Sequence, residues 1–122
     1  MCGFIGIYSS KDSYSKNIIY KMNEDLNHRG PDAEGYFFSK NKKLCLGHKR
    51  LSIIGLDHTG NQPFVSECNK FALAYNGEIY NFLDIKSELN KNFKINWKST
   101  TDTEVLFYSL QLFGYFKTLK II

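Results

Sequence analysis

Apolar and polar residues fall in short blocks along this chain, and their period switches between that of strands and that of helices. Gly3 to Tyr8 is a compact apolar run of β-favouring residues and reads as a buried strand. From about Ser15 the spacing lengthens. Ile19, Met22 and Leu26 recur at helical intervals, and the pattern ends before His28-Arg29-Gly30-Pro31-Asp32, where glycine and proline together break it. Gly35 to Phe38 and Lys43 to Leu51 read as two further strands, Gly60-Asn61-Gln62-Pro63 as a polar loop, and Phe71 to Tyr75 as another strand. Beyond Asn76-Gly77, the segment Asn81 to Leu89 is helical in pattern, with Phe82, Ile85 and Leu89 on one face and Asn81 in position to cap. Thr101-Asp102-Thr103-Glu104 is a capping-box pattern opening a last helix through Val105, Leu106, Ser109 and Leu112. Phe113 to Ile122 is apolar and lysine-bearing, and its apolar residues call for something to pack against. Loosely alternating strands and helices predict a mixed α and β domain.

Composition narrows the function classes. At 122 residues the chain is one domain at most, and 43% hydrophobic residues with 23% charged is a globular balance. A formal net charge of +4 is spread rather than clustered, which argues against tracking nucleic-acid phosphates. No apolar run approaches the roughly 20 residues that cross a bilayer, and the first residues lack the basic and apolar regions of an export signal. No membrane association and a cytoplasmic address are therefore expected. Cys2, Cys45 and Cys68 are odd in number and irregular in spacing, unlike a disulfide framework. Together with His28, His48 and His58 they show no Cys-x-x-Cys or His-x₃-His pair, so no metal site is expected. Cys45, within Leu44-Cys45-Leu46, reads as a small buried side chain.

Position 2 carries the candidate chemistry. Removal of Met1 makes Cys2 the N-terminal residue and puts a thiol and a free α-amine on one amino acid. Their unperturbed pKa values, about 8.5 and about 7.7–8.0, let both exchange protons near neutrality, so nucleophile and general base sit together. Gly3, without a side chain, lets a substrate approach closely. A cysteine at position 2 taken alone is usually accidental; the other motifs change its weight.

Six segments, in order and at matching spacing, resemble the glutaminase domain of glutamine-hydrolysing asparagine synthetases. They are Met1-Cys2-Gly3-Phe4-Ile5-Gly6, His28-Arg29-Gly30-Pro31-Asp32, Gly47-His48-Lys49-Arg50-Leu51-Ser52-Ile53-Ile54, Gln62-Pro63, Tyr75-Asn76-Gly77-Glu78-Ile79-Tyr80-Asn81 and Thr101-Asp102-Thr103-Glu104-Val105-Leu106. The resemblance runs from Cys2 to about residue 112 of a single domain over 1–122, with 113–122 divergent. It implies an α+β fold of the N-terminal-nucleophile hydrolase kind, a four-layer αββα sandwich, incomplete at the C-terminus.

The same resemblance implies roles. Cys2 is the nucleophile toward the side-chain amide of glutamine. Asn76 and Gly77 form the oxyanion hole, although Asn-Gly between apolar runs is also the strongest two-residue hairpin signal. Arg50 binds the α-carboxylate of glutamine; without the motif it reads as a surface charge. Asp102 accepts the α-ammonium group; without the motif it reads as a helix cap. The glutamine site also includes the backbone of Leu51, Ser52, Ile53 and Ile54, and Glu78. His28 to Asp32 implies an ordered loop with no chemical step, and His48 packs within its strand. Gly55 departs from the acidic residue usual in the family. The glutaminase step needs no metal or cofactor. ATP and magnesium enter only through an ammonia-accepting synthetase domain or subunit, for which these residues contain no phosphate-cradling loop. The implied function is glutamine hydrolysis as half of ATP-dependent asparagine synthesis from aspartate. The alternatives are a non-catalytic or degenerate fragment, or an amidotransferase acting on another acceptor such as a sugar carboxylate.

Overall fold

The computed structural model describes residues 2–11, 14–53, 55 and 57–122, which form two compact units. The first comprises residues up to Ser52 together with Asn61–Asn76; the second comprises Ile53–Gly60 and Gly77–Ile122. The architecture is mixed α and β, and among the described residues every strand pairing is antiparallel.

In the first unit, β1 (Gly3–Tyr8), β2 (Ala33–Phe38) and β3 (Leu44–Arg50) form a three-stranded sheet in the order β1-β3-β2. The register sets Gly3 opposite Lys49 on one side and Ala33 opposite Arg50 on the other. Helix α1 (Lys16–Asp25) packs on one face of this sheet. Residues in a strand point alternately to the two faces, and here the alternation divides the work.

Toward α1 point Cys45, Gly47 and Lys49. A Cβ added at Gly47 would lie 2.9 Å from Ile5 and 3.1 Å from Asn23 of α1, so the glycine lets helix and sheet approach. On the same face Lys49 donates to its cross-strand neighbour Glu34 at 2.6 Å, and this bond holds the Glu34 carboxyl below its usual range. Away from α1 point Leu46, His48 and Arg50.

The buried residues of α1 are Ile19 and Asn23, with Leu26 half-buried at its end. Met22, expected on the packed face, is 37% exposed. The inward stripe runs i, i+4, i+7 through Asn23 instead, because Gly47 leaves room below that position. Phe64–Val65 (β4) and Ala72–Leu73 (β5) make a separate two-stranded ladder. The strand expected over Phe71 to Tyr75 is thus cut to two residues. Its partner is equally short, and the N–H of Tyr75 is taken by the Oε1 of Gln62 at 2.6 Å rather than by a strand. Asn76-Gly77 does not turn a hairpin. It leads from β5 toward a helix, and neither residue adopts the positive φ that a type I′ turn requires.

The second unit is helical: a 3₁₀ turn at His58–Gly60, α2 (Phe82–Asn92), α3 (Asp102–Leu112) and α4 (Tyr115–Ile121). Ile85 and Leu89 of α2 are buried as the spacing predicts, and each contributes about 1.5–3 kcal/mol by leaving water. α3 packs against α2 and α4. Asn81 occupies the cap position of α2, but its side chain makes no cap bond. It donates instead to the carbonyl of Ile121 at 2.7 Å, tying the start of α2 to the end of α4.

Thr101 caps α3, its hydroxyl accepting from the N–H of Glu104. The reciprocal half of the capping box is displaced upstream. The buried Glu104 carboxylate accepts from the N–H of Lys98 at 2.9 Å, the N–H of Ser99 at 2.7 Å and the hydroxyl of Ser99 at 2.8 Å. α4 follows Gly114 and was not legible as a helix in the sequence; Gly114 starts it at φ 80°. Among the described residues, no helix is long and apolar enough to cross a membrane.

Candidate active site

In the first unit Cys2, Arg50, Leu51 and Ser52 gather at the C-terminal end of β3. Cys2 immediately precedes β1, whose first residue pairs with Lys49, so antiparallel pairing delivers the thiol to that end. Its Sγ accepts from the N–H of Leu51 at 3.3 Å and lies 3.5 Å from the Leu51 carbonyl. Arg50, one residue earlier, is 5% exposed, which overturns the reading of it as a surface charge. Its Nη1 donates to the Oδ1 of Asn61 at 2.9 Å.

The loop His28–Asp32 folds over this strand end. A Cβ at Gly30 would sit 2.5 Å from the Lys49 carbonyl, so only glycine permits the approach. The N–H of Asp32 donates to the Arg50 carbonyl at 3.0 Å, and its carboxylate accepts from the N–H of Ser52 at 2.7 Å. Leu51 and Ser52 are therefore held from both sides, by Cys2 and by Asp32.

His48 lies on the same face of β3 as Arg50 and is fully buried, as its strand position suggested. Its Nε2 is 3.3 Å from the Tyr75 carbonyl; a carbonyl only accepts, so Nε2 carries the proton. Burial, aided by the nearby charge of Arg50 and opposed by the bond to Tyr75, pushes the His48 pKa down to about 4. The imidazole is neutral near neutral pH, and its Nδ1 has no partner. Gln62 enters the same face: a Cβ at Gly35, the cross-strand neighbour of His48, would lie 2.1 Å from the Gln62 carbonyl. Asn76 ends this unit, directly after Tyr75.

The second unit holds Ile53, Gly77, Glu78 and Asp102. Ile53 is 69% exposed, and Gly77 and Glu78 are exposed. Asp102 is buried, and its Oδ2 accepts from the N–H of Ile79 at 2.9 Å. It is not the cap of α3, a role taken by Thr101, and its carboxylate anchors the segment that follows Gly77-Glu78. Gly55 has φ 63°, a conformation glycine takes without steric cost. Ile54 lies outside the described residues.

Asn61, Gln62 and Asp32 are the functional candidates that sequence reasoning left without a role. The Gln62-Pro63 and His28–Asp32 motifs marked two of them, while nothing in its spacing marked Asn61. Among the described residues, no group of three or more His, Cys, Asp or Glu side chains is arranged to hold a metal ion. The three cysteines are free thiols, with Cys45 buried and Cys68 exposed.

The family model for the glutamine amidotransferase domain matches residues 1–121. The chain belongs to the glutamine amidotransferase domain family. Among curated relatives of this domain, it is 38% identical over 111 residues to asparagine synthetase [glutamine-hydrolyzing] 1 of Bacillus subtilis, covering 87% of the chain and 17% of that protein. It is 34% identical over 110 residues to asparagine synthetase [glutamine-hydrolyzing] 2 of the same organism, covering 87% of the chain and 14% of that protein. To an amidase of Gibberella zeae it is 38% identical over 97 residues, covering 77% of the chain and 14% of that protein. The amidotransferase chain thus spans less than a fifth of the length of these relatives.

Proposed function

We propose that this domain hydrolyses glutamine to glutamate and ammonia, with Cys2 as nucleophile once Met1 is removed. The observation that carries the reading is the convergence at one strand end: Sγ of Cys2 meets the N–H of Leu51 at 3.3 Å, directly beside the buried Arg50. A thiol held at the backbone of the residue that follows a buried, always-charged arginine suits a substrate that offers an electrophilic amide at one end and an α-carboxylate at the other.

In the proposed sequence the α-amine of Cys2 takes the thiol proton and the thiolate adds to the amide carbon. The Asn76 side-chain amide and the Gly77 N–H hold the oxyanion, which forms only as the bond is made. Such donors are worth about 2.7–4 kcal/mol each in transition-state stabilisation. The ammonium form of the amine then protonates the leaving nitrogen, ammonia departs, and water hydrolyses the thioester to glutamate. Arg50 receives the α-carboxylate, with Asn61 orienting its fork. Asp102 receives the α-ammonium group while anchoring Ile79, and Leu51 to Ile54 and Glu78 complete the substrate contacts. No metal or cofactor takes part in this half-reaction.

The domain is read as an αββα sandwich of the N-terminal-nucleophile hydrolase kind, acting in the cytoplasm. The partner is a synthetase domain or subunit that binds ATP and magnesium and receives the ammonia. Similarity to two asparagine synthetases favours aspartate as acceptor. Similarity to an amidase supports a second reading, in which the same glutaminase front end serves another acceptor.

The test is glutamate release from glutamine by the purified protein beside Cys2→Ala, with the mature N-terminus read by mass spectrometry. Release that depends on Cys2 in a protein lacking Met1 is expected. Equal rates in the two proteins defeat the proposal.

A further inference from the structure

His48 is an expensive residue for its position. It is completely buried in the central strand, and its Nδ1 has no hydrogen-bond partner. A buried acceptor without a donor is destabilising, and an apolar side chain of similar volume at this position avoids that loss. What the imidazole gains is one bond, from Nε2 to the Tyr75 carbonyl. Gln62, also buried, makes the complementary bond, its Oε1 accepting from the N–H of the same Tyr75 at 2.6 Å.

Between them the two side chains hold both backbone polar groups of one residue. That residue lies two positions beyond the end of β5. The Tyr75 carbonyl shares a rigid peptide plane with the nitrogen of Asn76. Fixing that carbonyl and the preceding N–H sets the backbone direction from which the Asn76 side chain departs.

We propose that His48 and Gln62 are positioning residues for oxyanion stabilisation, gripping Tyr75 by its carbonyl and its N–H so that the Asn76 amide is aimed before substrate arrives. The inference rests on the glutaminase reading and on the oxyanion role of Asn76 within it. Because an oxyanion donor acts in the transition state, misaiming it lowers kcat and leaves KM nearly unchanged.

The experiment measures kcat and KM for glutamate release by the full chain carrying Asn76→Ala, His48→Leu, Gln62→Leu or His48→Gln, and by the double variants of Asn76→Ala with His48→Leu and with Gln62→Leu. Asn76→Ala is expected to lower kcat by about 100- to 1,000-fold. His48→Leu and Gln62→Leu lower kcat by roughly 10- to 100-fold at nearly constant KM. His48→Gln restores much of it, because its amide nitrogen supplies a donor at the place of Nε2. In the Asn76→Ala background both leucine variants cost less than about 2-fold more, since their effect passes through the missing amide. If His48→Leu does not fold, Gln62→Leu carries the test. Unchanged kcat in the leucine variants, or losses that multiply in the Asn76→Ala background, overturns the inference while leaving the glutaminase reading intact. Full activity in Asn76→Ala, with activity still lost in Cys2→Ala, removes the oxyanion role and this inference with it.

Discussion

Nη1 of Arg50 donates to Oδ1 of Asn61 at 2.9 Å, and it does so at a buried guanidinium whose neighbour along the chain touches the thiol of Cys2. Asn61 is neutral, so it can orient the fork without cancelling the charge that an α-carboxylate needs. The expected result of Asn61→Ala is a rise of roughly 10-fold in the KM for glutamine, the scale of one hydrogen bond to a charged group, with kcat changed little. Steady-state glutamate release measures it. A drop confined to kcat would mean that Asn61 serves the chemistry rather than the clamp.

His48 makes stability pH-dependent in a window below neutrality. Its pKa falls from 6.5 to about 4 on folding, so between those values the unfolded chain binds a proton that the folded chain refuses. The stabilisation is complete above pH 6.5 and is lost as pH falls toward 4, by about 3 kcal/mol in total. Urea denaturation from pH 7.5 to 4 should show this loss in the wild type. In His48→Leu it should shrink to what carboxylates such as Glu34 contribute, which appears at the acid end of the range. A wild-type curve that stays flat from pH 6.5 to 5 contradicts it.

Two glycines separate steric crowding from backbone strain. At Gly35 an added Cβ would lie 2.1 Å from the backbone carbonyl of Gln62, which cannot swing aside, so Gly35→Ala should destabilise by roughly 3 kcal/mol or more. At Gly114 nothing lies within 4 Å of the added Cβ, yet φ 80° with ψ 168° is a region open essentially to glycine alone. Gly114→Ala should cost about 1–3 kcal/mol through conformation only. Chemical denaturation of both variants checks the ranking, and a neutral Gly35→Ala would refute the close approach.

The Glu104 carboxylate closes the turn before α3 with three accepted hydrogen bonds while buried. Glu104→Gln replaces one acceptor with an NH₂ group facing donors. A loss of about 3 kcal/mol is expected, the scale of a charge-assisted bond plus an unsatisfied buried donor. Faster amide exchange at Lys98 and Ser99 should accompany it. Unchanged protection at both amides would show that the carboxylate does not hold the turn.

Local patterns foretold the local structure well. The strand at Gly3–Tyr8, the Ile85/Leu89 face and the Thr101 cap are each encoded within a few residues, and each formed, but the strand is not buried as expected: Phe4 and Tyr8, on its face away from α1, are exposed. What escaped was anything that depends on a distant partner. Asn23 is inside rather than Met22 because Gly47, far along the chain, makes room for it. Tyr75 leaves its strand because Gln62 and His48 take its polar groups. Asn81 abandons its cap for the carbonyl of Ile121. The motif around Arg50 lies at the end of β3, yet the burial of Arg50 and its bond to Asn61 follow from a loop return that no periodicity encodes.

Alternation along β3 ties two of these stories together. His48 and Arg50 share one parity and Lys49 the other, so the central strand tolerates no odd shift. Inserting a single residue near Leu46 would turn the guanidinium toward α1 and bring the lysine to the side where Asn61 and Tyr75 wait. An insertion of two would keep the sides but slide both groups by about 7 Å. Any engineering of this strand must therefore carry positions 48 and 50 as one inseparable pair.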